Sequence, residues 1–116
     1  MTLECFYTHI GGDYYEVFSR LCTEERILKF VRKYPADPTF QHLKEAVNRS
    51  DWTDAFRAVH TLKGVALNLA FGNLYRAAAA LSDALLGGAA LSDFSLLNAV
   101  IHCHQQLLEA ISRLTA

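Results

Sequence analysis

Proline and glycine are scarce in this chain, at 2 and 6 of 116 residues, while hydrophobic residues make up 52%. That balance excludes a disordered tract, a collagen-like repeat and a Pro/Gly-rich linker array. Cysteine is scarce as well: Cys5, Cys22 and Cys103 are odd in number, widely spaced and without a CxxC. They fit inert, reduced packing thiols better than a disulfide frame or a zinc site. Neither charge sign dominates, with 11 Lys+Arg against 12 Asp+Glu. A chain that neutralises nucleic-acid phosphates needs a cationic surplus, so no nucleic-acid partner is expected. No apolar run approaches the roughly 18 residues of a membrane span, so no membrane partner is expected either. Met1 to Phe6 has neither a basic stretch nor an apolar one, so an export signal is not expected. The absences leave a small cytoplasmic chain, read as one domain over residues 1–116.

What is present is helical periodicity throughout. Leu3 to Ile10 is amphipathic and stops at Gly11-Gly12, and Asp13 can cap a segment carrying Tyr14, Val17, Phe18 and Leu21. Glu24 to Tyr34 follows, with Arg26, Lys29, Arg32 and Lys33 forming a basic, solvated face. Asp37-Pro38 reads as a helix start with the aspartate as cap and the proline at the first helical position. Ser50 or Asp51 caps a long helix from Trp52 to about Ala70. Phe71-Gly72-Asn73 breaks the chain before an alanine-rich helix from Leu74 to Leu86. Gly87-Gly88 ends it, and Ser92 or Asp93 starts the last helix. No alternating strand pattern of useful length appears. Short connections between long amphipathic helices predict an all-α fold: an antiparallel four-helix bundle with short N-terminal helices covering one end.

The informative stretch is FRAVHTLKGVALNLAFG, residues 56–72. With His60 at zero on a helical wheel, Ala55, Val59, Leu62, Ala66 and Leu69 fall on one arc between about 180° and 260°, the core face. His60 lies off that arc and belongs in water. Phe56, Lys63, Gly64 and Leu67 lie within about 60° of it. An exposed imidazole is thus flanked by one cation, one residue without a side chain, and two bulky apolar groups. Lys63 can pair with a negative group carried on the imidazole. Gly64 costs the helix about 1 kcal/mol relative to alanine, which suggests that another surface must approach the backbone there. Phe56 and Leu67, if exposed, form an apolar rim for a protein partner.

His60-Thr61-Leu62-Lys63-Gly64, followed by Ala66 and Asn68, resembles the motif of histidine-containing phosphotransfer (HPt) domains, four-helix bundles of two-component phosphorelays. The resemblance implies that His60 is phosphorylated, that Lys63 lies beside the phosphoryl group, and that Gly64 leaves room for a receiver's active-site face. It implies a response-regulator receiver domain, or a hybrid sensor kinase, as partner. One departure is visible: many members carry glycine ten positions after the histidine, where this chain has Ala70, and Gly72 comes two residues later.

Neutral imidazole is nucleophilic near pH 7. Phosphoryl transfer mostly needs in-line positioning and charge neutralisation, commonly with Mg²⁺ on carboxylates. The motif helix offers no carboxylate cluster near His60, and the chain has no P-loop. The expectation is therefore a carrier and not an enzyme, with no metal site or cofactor of its own and with Mg²⁺ held by the receiver. The alternative is a docking module that binds a receiver or partner helix through Phe56 and Leu67 without phosphate chemistry. The Met1 start and the lack of a linker favour a free-standing carrier. His102-Cys103-His104 does not read as a metal site, because residues i and i+2 point to opposite sides of a helix. His9 and His42 stand alone as surface residues.

Overall fold

The computed structural model describes residues 1–115; the span expected for one domain runs one residue past them. Short polar side chains start the early helices. Thr2 opens α1 (Leu3–His9), Asp13 opens α2 (Tyr14–Leu21), and Thr23 opens α3 (Glu24–Lys33), each accepting an N–H of the first turn. A 3₁₀ turn over Tyr34–Ala36 leads into α4 (Thr39–Asn48). Asp51 then caps α5 (Trp52–Asn68), accepting the Asp54 N–H at 3.1 Å. After α6 (Gly72–Ala84), a second 3₁₀ turn over Leu86–Gly88 precedes α7 (Ser95–Ser112). Among the described residues there is no strand.

Helices α4 to α7 form the bundle: α5 packs on both α4 and α6, and α6 packs on α7. The ring closes where His104 of α7 stacks on Phe40 of α4, with ring centroids 3.6 Å apart. Helices α1 to α3 cover one end of the bundle, as expected, and the structure shows it to be the end where α5 finishes and α6 begins. There Phe6 and Tyr7 pack around Phe71, and the Tyr7 hydroxyl donates to the Leu69 carbonyl at 2.8 Å. The core arc of α5 is as expected at Ala55, Val59, Leu62 and Ala66, all fully buried. Leu69 is only half-buried, because it is the cap residue where the backbone leaves the helix.

Several boundaries differ from the sequence expectation. Pro38 precedes α4 instead of opening it: Asp37 Oδ1 accepts the Thr39 N–H at 2.8 Å, and the Pro38 carbonyl takes the His42 N–H. α7 starts at Ser95, later than Ser92 or Asp93, since Asp93 Oδ1 accepts from both the Ser95 N–H and its hydroxyl. That side-chain turn holds the chain back from the helix. α6 starts at Gly72 and stops at Ala84, two residues earlier than expected at each end.

α5 stops at Asn68, two residues short of expectation, through a Schellman motif. The Ala70 N–H donates to the Leu67 carbonyl at 3.2 Å, and the Phe71 N–H donates to the Ala66 carbonyl at 2.9 Å. Ala70 takes φ +56, the left-handed conformation normally left to glycine. Its Cβ clash there costs roughly 1–2 kcal/mol. Closing the motif swings Phe71 into the core, where it is 1% exposed. Alanine at this position therefore does not extend the helix; it adopts the strained turn.

Candidate functional site

His60 lies near the middle of α5, on the side away from the core, and is exposed. One turn before it, Phe56 stacks on the imidazole with centroids 5.8 Å apart and planes inclined by 23°. Phe56 is half-buried and packed against the core, so it is less open than the sequence suggested. Leu67 is 45% exposed and does present an apolar surface. Lys63 is half-buried and forms no ion pair among the described residues. A lysine of this kind lays its alkyl stem along the helix and keeps the ammonium in water.

Gly64 is decisive for this face. Apart from its chain neighbours and its own stretch of helix backbone, a Cβ built there meets no atom within 4 Å. Close packing inside the chain therefore does not require the glycine, and the space over it is open. Together with His60, Lys63 and Leu67 it forms a continuous strip down one side of α5, bounded at its N-terminal end by the Phe56 ring.

No free carboxylate lies beside the imidazole on this helix. The only acidic residue within α5 is Asp54, six positions earlier and about 120° round the helix. It is already engaged: Asp54 Oδ2 lies 3.0 Å from both His42 Nε2 and Arg49 Nη2. His42 thus has a partner and does not stand alone. Among the described residues no three His, Cys, Asp or Glu side chains come together to hold a metal ion. His102 is exposed, whereas His104 is half-buried, hydrogen-bonded through Nδ1 to the Tyr34 hydroxyl at 2.7 Å. Burial and then the Lys44 charge hold the His104 pKa below the ordinary histidine value.

Several groups that shape the site were not read from the sequence. Arg20 of α2 donates from Nη1 to the Leu67 and Asn68 carbonyls at 2.7 and 3.1 Å, satisfying the Asn68 acceptor at the end of α5 and adding a second bond to the Leu67 carbonyl that the Ala70 N–H already engages. Glu16 pairs with the same guanidinium. Gly12 sits against the Ala70 carbonyl and Gly72 against the Gly11 carbonyl, so tightly that a Cβ at either would overlap backbone. Gly11-Gly12 and Phe71-Gly72-Asn73 each read as a break in the sequence, but nothing there signalled that the two breaks touch. A groove of about 290 Å³ lies beside the strip, lined by Leu21, Phe30, Val65, Asn68 and Leu69. Arg26, Lys29, Arg32 and Lys33 are all exposed on α3, and Lys33 Nζ sits 5.7 Å from the Phe30 ring centroid.

Among the described residues no helix is long and apolar enough to cross a membrane. Compared with known families, the chain matches the model of the Hpt domain over residues 35–115. That stretch takes in α4 to α7 and the whole motif helix, and leaves α1 to α3 outside. Neither a curated protein nor a solved structure matches the chain.

Proposed function

Since this chain belongs to the Hpt domain family, whose members serve in phosphorelays, we propose that it carries a phosphoryl group on His60 between receiver-domain aspartates. The observation that supports this most is the combination at residues 60–64: an exposed imidazole, a cation one turn on, and open space over Gly64. In the forward step a ring nitrogen of His60 attacks the phosphorus of a receiver's aspartyl phosphate. The N–P bond forms, the P–O bond breaks, and the aspartate leaves as carboxylate. The second receiver reverses these events. Lys63 offsets the phosphoryl charge, and Gly64 lets the receiver's active-site face reach the helix. Leu67 and Phe56 supply apolar docking surface.

The chain itself works without ATP or a metal. The carboxylates that bind Mg²⁺ belong to the receiver, because the one carboxylate of α5 is committed to His42 and Arg49. The partner is a response-regulator receiver or the receiver of a hybrid sensor kinase, in the cytoplasm.

The test is phosphoryl transfer from pre-phosphorylated receivers with Mg²⁺, beside a His60→Gln variant of unchanged circular dichroism. Acid-labile, base-stable label on the wild type alone is the expected result. Equal labelling of His60→Gln, or no label from a broad receiver panel that still binds, overturns the reading.

A further inference from the structure

The geometry points to Phe56 as a positioning residue for His60: its ring forms a wall that fixes the orientation of the imidazole. This rests on the reading of His60 as the phosphoryl acceptor. It gives Phe56 a task distinct from contact with a partner.

An exposed histidine on a helix ordinarily samples more than one staggered χ1 well and a broad range of χ2. Helical side chains lean toward the N-terminus, so the imidazole of His60 leans over the residue one turn earlier. That residue is Phe56, and its ring lies near-parallel to the imidazole at 5.8 Å and 23°, within the range of offset aromatic stacking. Phe56 can hold the imidazole because it is itself held, half-buried and packed on the core. One turn beyond His60 the situation reverses, since Gly64 has no side chain and nothing stands within 4 Å of where a Cβ would be. The imidazole is thus closed on the Phe56 side and open on the Gly64 side. An incoming phosphorus must line up with a ring nitrogen and its leaving group, so an imidazole held in one orientation presents that line without a search.

Two substitutions separate this role from docking and from folding. Phe56→Leu keeps apolar bulk against the core but removes the ring; Phe56→Tyr restores it. In the wild type and Phe56→Tyr the His60 Hδ2 and Hε1 resonances are expected upfield, shifted by the stacked ring, and Phe56→Leu abolishes that shift. With a receiver that loads the wild type, single-turnover transfer at saturation falls about twofold in Phe56→Leu, as one χ1 well gives way to the two that a helix allows. Leucine still offers an apolar surface for docking, so the half-saturating receiver concentration stays put, and Phe56→Tyr recovers the rate. Ring protons unmoved in Phe56→Leu, or a raised half-saturation with an unchanged saturating rate, overturn the positioning role. If no receiver loads the wild type, the carrier reading falls by itself, while the ring-proton shift still decides whether Phe56 holds the imidazole.

Discussion

Gly64→Ala separates stability from function in one residue. Glycine inside a helix costs about 0.8–1.0 kcal/mol relative to alanine, because its backbone loses more freedom on folding. That gain is realised only where the new methyl has room, and here it meets nothing within 4 Å. The variant should therefore be more stable by about 1 kcal/mol, which for a domain of this size raises Tm by about 4 °C. Transfer should move the other way. A methyl projecting from the helix beside His60 holds an incoming receiver off the backbone, and a displacement of about 1 Å between reacting groups costs up to a hundredfold in rate. Urea unfolding gives the first number, and single-turnover transfer from a phosphorylated receiver gives the second. A loss of stability would refute the open-space argument. Higher stability with wild-type transfer would show that no partner needs the clearance.

Other perturbations test the frame that holds the motif helix. Gly12→Ala and Gly72→Ala each drive a methyl into a backbone carbonyl, of Ala70 and Gly11 respectively, and should cost about 1–3 kcal/mol in urea unfolding. A loss below about 0.5 kcal/mol at both would mean the cap can shift aside cheaply. Arg20→Gln removes two hydrogen bonds to the end of α5 and should cost about 1 kcal/mol, given that the side chain is 38% exposed. Hydrogen exchange should quicken at the last turn of α5 if those bonds matter. Because burial lowers the His104 pKa in the folded chain, the unfolded chain takes up its proton first as pH falls below about 6.5. Stability from this group is therefore complete above that pH and declines below it. Urea midpoints at pH 7.5 and 5.5 should differ less in His104→Gln than in wild type.

How far the sequence could be read depended on the distance between the residues that decide each feature. The motif helix is a local object: a wheel placed Val59 and Leu62 inside and His60 outside, and the burial follows it. Gly64 was legible for the same reason, since its cost and its face are both set within two turns. The end of that helix was not legible, because residues far away in the chain decide it. The Ala66 and Leu67 carbonyls are taken by Phe71 and Ala70, those of Leu67 and Asn68 by Arg20, and that of Leu69 by Tyr7. Arg20 and Tyr7 lie 47 or more positions earlier, in helices outside the part of the chain that matches the family. No periodicity links them to α5. This also accounts for Ala70, where the family commonly has glycine. Its left-handed φ carries a penalty of roughly 1–2 kcal/mol, comparable to what one or two of those carbonyl bonds contribute. The N-terminal helices thus do more than cover the bundle's end. By engaging three of the last four carbonyls of the α5 terminus and packing around Phe71, they hold Ala70 in a turn that glycine would adopt unaided, and so fix where the helix bearing His60 stops.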